Sequence, residues 1–441
     1  LQTEIEWILA TARDAQASWR KTPVNERIAI VRRFADLMVA KRDQLGHELT
    51  LQMGRPIRYT PKEIDTMAAR ANFMASVAEE ELADIQLPLV EGFKRFIRRE
   101  PLGLVFAIMP WNYPYLTAVN LVIPALLAGN AVVLRHSPHT PLVAERMVEA
   151  FLEAGGPEGV FQFIHLSPDQ ADWVVRRPEV DFVAFTGSVA IGRTVQKAAS
   201  DKFIGVGLEL GGKDPAYVRA DADLDFAAEN VVDGSLFNSG QSCCAVERVY
   251  VQKAVFDEFV AKMVDVAKSN VLGDPTDPAT TLGPLIRRSS AEFVRGQVHE
   301  ALSKGAKALI DEALYPAAKP GSCYVAPQIL VNVDHSMRLM TEETFGPLVG
   351  VMPVDGDDEA VRLMNDSPFG LTASVWTTDE EAAIAIADQI ETGTVFMNRC
   401  DYLDPELPWV GVKESGRGCT LSRLGFEHLT RPKSFHLRTR T

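Results

Sequence analysis

The sequence has 441 residues and is short of several things at once. Its cysteines are few and odd in number: five, at 243, 244, 323, 400 and 419, with no metal-ligand spacing. That argues against a disulfide framework or a zinc module, and the adjacent Cys243 and Cys244 cannot readily close an unstrained bridge on each other. Such usage fits a reducing compartment with reactive or buried thiols. No apolar run approaches the ~20 residues of a membrane span. Leu1 to Arg20 is mixed and amphipathic rather than a secretory signal, so the expected location is cytoplasmic. Positive charge is scarce too: 45 Lys and Arg stand against 59 Asp and Glu, a net charge of −14. Repulsion from phosphate makes nucleic acid and anionic membrane poor partners. There is no internal repeat and no low-complexity segment.

What is present is ordinary for a globular protein: 46% hydrophobic and 24% charged residues. The length suggests two or three domains. Leu1 to Ile85 carries helical patterns. Glu26 to Met53 places Ile28, Ile30, Val31, Phe34, Leu37 and Met38 at helical spacing, ended by Gly54, Arg55 and Pro56. Pro61 to Leu82 predicts a further helix. Phe93 to Arg99 and Ser434 to Arg440 alternate polar and apolar residues. Two such ribbons suit an oligomer-forming sheet or ordinary surface hairpins equally well. From Gly103 onward, short apolar strands alternate with helices: Leu104 to Ile108, Ala131 to Leu134, Val180 to Phe185 and Ile204 to Leu208. This predicts an α/β fold with a parallel, doubly wound sheet buried on both faces. A second α/β series begins at Ala222.

Five stretches carry possible chemistry. Phe237 to Arg248 reads F-N-S-G-Q-S-C-C-A-V-E-R, two cysteines where a loop feeds a strand. A reactive thiol and a buried structural one both fit there. Gly103 to Tyr115 ends a buried strand in Pro110, Trp111 and Asn112; the Asn is suited to holding a carbonyl oxygen that becomes negative, or to capping the next helix. Phe185 to Gly192, F-T-G-S-V-A-I-G, is a strand, a turn and a helix start, able to receive phosphate or simply capped; it is not G-x-G-x-x-G. Leu208 to Pro215 offers Glu209, a general base if desolvated and otherwise a surface acid. Glu342 to Pro347, E-E-T-F-G-P, either fixes sugar hydroxyls or starts a turn. Arg135, at a strand end, suits a ribose or phosphate contact or a solvated loop.

Taken together, these segments resemble the aldehyde dehydrogenase superfamily. The motifs run in order as P-W-N at Pro110 to Asn112, F-T-G-S at Phe185 to Ser188, E-L-G-G-K at Glu209 to Lys213, G-Q-x-C at Gly240 to Cys243, E-x-F-G-P at Glu343 to Pro347, and P-F-G-L-x-A-S-V at Pro368 to Val375. Six ordered motifs over essentially the whole chain make the resemblance specific.

The resemblance implies a Rossmann-type cofactor domain from 1–86 and 101–210, a catalytic domain from 211–410, and an oligomerisation ribbon from 87–100 and 426–441. It implies NAD(P)-dependent oxidation of a small aldehyde to the acid, by a homodimer or homotetramer. Cys243 would be the nucleophile, Asn112 with the Cys243 backbone N–H the oxyanion hole, and Glu209 the base that activates water. The thiolate attacks the aldehyde, hydride loss gives a thioester, and hydrolysis frees the acid. Ile108, Met109, Pro110 and Trp111 would line the cofactor path. Gly187 and Ser188 would receive the pyrophosphate, Arg135 the adenosine ribose, and Glu343 and Phe345 the nicotinamide ribose and ring, with Ser137 a further cofactor contact.

Three departures from the family pattern bear on function. Pro138 stands where members using NAD often carry an acid three residues after the ribose-contacting cation, so NADP is expected to be accepted at least as well as NAD. Leu121 stands where many members have Lys, so any proton relay runs otherwise. Val189 replaces a frequent Thr in the phosphate turn. Arg399, in the substrate-facing loop Asn398 to Trp409, could bind the carboxylate of a semialdehyde such as succinate semialdehyde, or pair with Asp401 or Asp404. Rival readings are a coenzyme A-acylating dehydrogenase, a cysteine hydrolase using His136 or His139, and a binding protein on a dead scaffold. Glu209 argues against the first, and the retained Cys243, Asn112 and Glu209 against the last.

Overall fold

The computed structural model describes residues 2–440 and contains two large sheets. In the first, Leu104–Met109 lies between Phe182–Thr186 and Ala131–His136, parallel to both. Gly205–Glu209 and Phe161–Phe163 extend it on either side, again in parallel. All six residues of Leu104–Met109 are buried, because helices cover both faces. The pleat sorts them. Val105, Ala107 and Met109 join one core with Val24–Ala40, Thr60–Glu81, Pro114–Leu127 and Pro141–Glu153. Leu104, Phe106 and Ile108 join the opposite core with Gln2–Trp19, Pro168–Arg176 and Val189–Ala199.

This is the doubly wound arrangement expected from the apolar strands. From Leu104–Met109 the chain steps outward through Ala131–His136 and Phe161–Phe163, then returns to the other side at Phe182–Thr186. The crevice at such a reversal, beyond the carboxyl ends of the strands, is where open α/β sheets take ligands. Here those two ends lead directly into Pro110–Asn112 and Gly187–Ser188.

The second sheet runs in the order Lys307–Ala308, Gln328–Val331, Leu348–Val354, Val246–Gln252, Asp214–Val218, Thr372–Trp376, Thr394–Met397. All pairings are parallel except the first. Two of its strands, Asp214–Val218 and Gln328–Val331, escape the sequence pattern. The first opens on Asp-Pro, which reads as a turn; the register shifts between Asp214 and Pro215, and a bulge at a strand start is where proline is tolerated.

The helical pattern from Glu26 to Met53 resolves into two helices, Val24–Ala40 and Arg42–Met53, hinged at Lys41 with φ −103° and ψ 9°. No glycine or proline marks that break. The two alternating ribbons pair with each other: Phe93–Pro101 runs antiparallel to Thr430–Arg438, and Ile85–Gln86 completes a three-stranded sheet. Gly416–Arg417 adds an antiparallel edge to Gly205–Glu209, which carries the segment after it toward Glu209.

Candidate active site

The loop before Cys243 is strained and over-determined. Asn238, Ser239 and Gly240 all have positive φ, at 53°, 55° and 72°, a region non-glycine residues rarely occupy. Five hydrogen bonds hold it. Ser239 Oγ donates to the Gly283 carbonyl at 2.8 Å, and Asn238 Nδ2 donates to the carbonyls of Asn112 and Gln241, each at 3.1 Å. Gln241 Nε2 donates to the Asn238 carbonyl at 3.0 Å, and its Oε1 accepts from the Ile286 N–H at 2.9 Å. Strain of this kind clusters at functional sites. Only glycine suits position 240, because a side chain there would strike the backbone of Gly346 and Pro347. That approach brings the cysteine loop against the E-T-F-G-P segment.

The two cysteines part company in this loop. Cys243 is partly exposed and lines a cleft of ≈ 570 Å³. Cys244 is buried and donates its thiol to Asp401 Oδ1 at 3.0 Å, beside Ser242 Oγ, which donates to the same oxygen at 2.8 Å. The neighbouring Cys243 thiol, and then burial, push the Cys244 thiol well above its ordinary pKa. Burial also raises the Asp401 carboxyl, to about 7.

Asn112 does not cap the helix Pro114–Leu127; that helix starts from Tyr113 with no side-chain cap. Instead Asn112 is buried, and its amide donates to the Gln241 carbonyl at 3.2 Å. An amide nitrogen has two hydrogens, so one remains for another oxygen in the cleft. The Cys243 backbone N–H likewise meets no protein acceptor among the described residues.

The Asn112 carbonyl is held by Arg55, which also donates to Asn238 Oδ1 at 3.1 Å and forms a buried ion pair with Glu63. Glu63 Oε1 in turn accepts from the Tyr115 N–H at 2.9 Å. In the sequence Arg55 stands within the Gly54–Pro56 helix stop. The signal was there, since a charged residue between Gly54 and Pro56 has no helical role, but its partners lie far along the chain.

Glu209 ends the strand Gly205–Glu209. Thr420 Oγ1 donates to its Oε1 at 2.5 Å, and Thr186 Oγ1 donates to its Oε2 at 3.3 Å. Burial raises its carboxyl above the ordinary range, opposed by the two hydroxyls and by the charge of Arg70. Behind it lies a small cavity lined by Thr117, Leu121, Thr420 and His428 among others. Leu121 supplies no proton-bearing group there, and the hydroxyls of Thr420 and Thr186 are what meet the carboxylate.

Across the cleft, Lys213 and Glu247 form a fully buried pair at 2.6 Å. Glu247 accepts from the backbone N–H groups of Thr344, at 2.7 Å, and Phe345, at 2.9 Å. That anchors Phe345, whose φ is 52°, with its ring 5.7 Å from Trp111 and nearly perpendicular to it. Glu343 Oε1 accepts from the Gly212 N–H at 3.2 Å, and burial raises its carboxyl to about 8. Ser188 precedes the helix Val189–Ala199 without making a side-chain cap bond, so its hydroxyl stays available. An aromatic wall, a carboxylate for hydroxyls and a helix start with an unspent hydroxyl fit the parts of a pyridine dinucleotide.

The cleft thus gathers Cys243, Glu209, Asn112, Pro110, Trp111, Gly187, Ser188, Glu343 and Phe345. It adds Thr186 and Gln241, which stand within the F-T-G-S and G-Q-x-C motifs, and Tyr113, Thr117, Arg287 and Phe293, which no short motif marks. Four expected cofactor residues lie outside that lining. Ile108 is in the core opposite Arg135 on the neighbouring strand, and Met109 lines the cavity behind Glu209. Arg135 is half-buried and donates from Nη2 to the Leu166 carbonyl at 3.2 Å. Ser137 is buried and its hydroxyl accepts from the His139 N–H at 3.3 Å. Arg399 is exposed, lies 3.4 Å over the ring of Tyr402, and does not line the cleft. It pairs with neither Asp401 nor Asp404 among the described residues.

A nucleotide-type sheet whose crevice holds a cysteine, a carboxylate and an amide defines a dehydrogenase of aldehydes. The aldehyde dehydrogenase family pattern matches residues 2–435, and the chain belongs to that family. It is 36% identical over 430 residues to a succinate-semialdehyde dehydrogenase [NADP(+)] of Deinococcus radiodurans, covering 98% of this chain and 89% of the relative. It is 35% identical over 434 residues to a betaine aldehyde dehydrogenase of Rhizobium etli, covering 98% and 89%. Among solved structures, an NAD-dependent aldehyde dehydrogenase from Sinorhizobium meliloti matches with a TM-score of 0.95 and 34% identity, over 100% of this chain and 88% of the other.

Proposed function

We propose that the protein oxidises a short aldehyde to its carboxylic acid with NADP or NAD, through a thioester on Cys243. The observation that carries this is the convergence of Cys243, Asn112 and Glu209 on one cleft with Ser188, Glu343 and Phe345. Cys243 attacks the aldehyde carbon as thiolate. The alkoxide that forms lies between the second amide hydrogen of Asn112 and the Cys243 backbone N–H, donors already oriented before the reaction. A nicotinamide held by Trp111, Ser188, Glu343 and Phe345 would supply the acceptor for the hydride that the Cys243 adduct loses in becoming a thioester. Glu209 then takes a proton from water as the water attacks the thioester carbon, and the acid leaves as the Cys243 thiolate returns.

Gly187, Ser188, Trp111, Glu343 and Phe345 would hold the cofactor. Arg135 favours NADP: its Nε is buried without a partner and it has no ion pair among the described residues, while Pro138 brings no carboxylate to repel a phosphate. The NADP named for the Deinococcus relative and the NAD named for the Sinorhizobium structure support use of both. Two further readings go with this one. Five free cysteines suit the cytoplasm, and the exposed ribbon sheet suits assembly of two or four copies.

His136 speaks against the hydrolase reading. It is buried, its Nε2 is bonded to the Pro114 carbonyl at 3.2 Å, and burial lowers its pKa to about 4. A panel of aldehydes with each cofactor, followed by nicotinamide absorbance, tests the proposal. Turnover that requires NADP or NAD is expected; no turnover with any aldehyde would overturn it.

A further inference from the structure

The cleft is poor in positive charge. Of the charged residues that line it, Glu209 and Glu343 are acids and Arg287 is the only lysine or arginine. A dinucleotide brings a diphosphate, with a negative charge on each phosphate at neutral pH. The chain itself carries −14, so such a ligand needs a cation close to where its phosphates rest. From the first sheet, the lining offers the phosphates the Ser188 hydroxyl and Gly187. Arg135 stands outside the lining.

The backbone that carries Arg287 is fixed on both sides. Ser239 Oγ donates to the Gly283 carbonyl at 2.8 Å, and the Ile286 N–H donates to Gln241 Oε1 at 2.9 Å. These bonds tie the residues before Arg287 to the cysteine loop. After it, the helix Arg288–Ser303 packs on the E-T-F-G-P segment. Thr344 Oγ1 donates to Gln297 Oε1 at 2.8 Å, and a side chain at Gly346 would strike Val294. Arg287 therefore stands between the loop of Cys243 and the segment of Glu343 and Phe345. Ser289, Ser290 and Phe293 continue the same lining along one face of the helix.

The guanidinium is oriented but not spent. Its Nε donates to Ser290 Oγ at 3.3 Å. Its two Nη atoms make no hydrogen bond to the protein, and it has no ion pair among the described residues. Two nearby arginines are used up. Arg338 lies over the Phe293 ring and pairs with Glu342 at 2.8 Å, and Arg295 donates to the carbonyls of Lys319, Ser322 and Tyr324. Arg287 is exposed, so its free nitrogens are open to a ligand in the cleft. The Nη pair of a guanidinium matches two phosphate oxygens.

We propose that Arg287 binds the diphosphate of the nicotinamide cofactor. It reaches that group from the half of the protein built on the second sheet, whose core holds its neighbours Leu285 and Ala291, while Gly187 and Ser188 reach it from the first. The inference rests on the dinucleotide use proposed above and adds a residue that none of the six motifs contains. NAD and NADP share the diphosphate, so Arg287 serves both. Arg135 differs in reading only the phosphate that NADP adds.

Binding of NADH and of NADPH without aldehyde, followed by nicotinamide fluorescence, tests this. Arg287→Gln removes the charge and keeps a polar side chain. Its Kd should rise about tenfold for both cofactors, the scale of a lost charge-assisted hydrogen bond. The weakening of binding by added salt should be shallower than in the wild type. Arg287→Lys should recover part of the affinity. Unchanged Kd for both cofactors overturns the proposal. A loss confined to NADPH would put Arg287 at the ribose phosphate and overturns it too. So does an unchanged Kd with a lower kcat/KM for succinate semialdehyde but not butyraldehyde, which would make Arg287 a contact of the substrate. If Arg287→Gln does not fold, phenylglyoxal labelling of the wild type replaces it. ADP-ribose, which carries the diphosphate, should protect the peptide containing Arg287, and adenosine should not; absence of protection by ADP-ribose overturns the proposal. A wild type that binds neither reduced cofactor would overturn the dinucleotide reading together with this inference, whereas normal wild-type binding with no change in the variant overturns the role of Arg287 alone.

Discussion

Thr420 donates its hydroxyl to the Glu209 carboxylate at 2.5 Å, from a segment 211 residues further along the chain. The edge strand Gly416–Arg417 makes this possible by pairing with Gly205–Glu209 and delivering the following residues to the carboxylate. Burial favours the neutral acid, and the hydroxyl bond favours the charged form. The base required for hydrolysis is the carboxylate, so the acid limb of kcat should lie above the ordinary carboxylate range.

Thr420→Val removes the donor and keeps the shape. Its acid limb should move to still higher pH, with kcat at neutral pH down roughly tenfold, as for loss of a hydrogen bond to a charged group. Thr420→Ser should stay near wild type. A pH–rate profile identical in Thr420→Val would count against Thr420 as the residue that tunes Glu209. Stability follows the same sign. With the folded pKa raised, the contribution of Glu209 to the fold is fully present below its unfolded pKa. It is lost as pH rises through the folded value.

The paired cysteines give a sharper contrast. Cys243 faces the cleft, whereas Cys244 is buried and spends its thiol on Asp401. Cys243→Ala should lower aldehyde oxidation by roughly 10⁴-fold or more, as loss of a nucleophile does, with little change in melting temperature. Cys244→Ala should keep most of its turnover and lose about 1–2 kcal/mol of stability from the cavity and the lost bond. Mass spectrometry after limited alkylation should find the label on Cys243 first. Labelling of Cys244 ahead of Cys243 would reverse the assignment.

The cleft was legible where chemistry and local geometry coincide. Pro110–Asn112 and Gly187–Ser188 follow neighbouring apolar strands of a doubly wound sheet, so their meeting at its crevice is a consequence of strand order. Cys243 and Glu209 stand in short loops at strand ends, and six ordered motifs named the family. What stayed hidden is carried by contacts with no local pattern. Arg55 and Glu63 are separated from Asn112 by about fifty residues, and nothing around Thr420 points to Glu209. Arg70 sits in a helical stretch that no motif marks, yet it is buried and bonded to Leu116 and Asn120 of the helix Pro114–Leu127. Asp214–Val218 hides behind an Asp-Pro start that a bulge accommodates. Arg399 shows the opposite error: a charge in the right loop with its side chain turned onto Tyr402.

Arg55 and Glu63 test whether the oxyanion site depends on a buried ion pair. Both side chains are almost wholly shielded, and Arg55 reaches Glu63, Asn112 and Asn238 at once. Glu63→Ala leaves the guanidinium without its counter-charge, a change that typically costs 3–5 kcal/mol, so the urea midpoint should fall markedly. Arg55→Lys keeps the charge but not the planar fork, and cannot serve three acceptors in one plane. In the folded Arg55→Lys protein, kcat should drop more than KM rises, because Asn112 is mispositioned for the alkoxide while the substrate still enters. A variant with a raised KM and unchanged kcat would mean that Arg55 shapes substrate binding rather than the oxyanion site.

A residue outside the cleft is expected to set cofactor choice. Arg135 ends the strand Ala131–His136, is half-buried, and leaves Nε without a partner while Nη2 donates to the Leu166 carbonyl. Burial lowers its pKa, and a guanidinium remains a cation in proteins. A cation held by one backbone carbonyl, with no acid beside it, suits an added phosphate. Pro138 cannot provide the carboxylate that would bond the ribose hydroxyl and repel that phosphate. Arg135→Ala should therefore raise KM for NADP about ten- to hundredfold, the scale of a lost charge-assisted hydrogen bond, and KM for NAD by less than about threefold. Pro138→Glu should act the other way, leaving NAD turnover intact while NADP binding weakens. Steady-state kinetics with both cofactors on one aldehyde decides the matter: equal losses for NAD and NADP in Arg135→Ala would place Arg135 in the fold of the strand end and not at the phosphate.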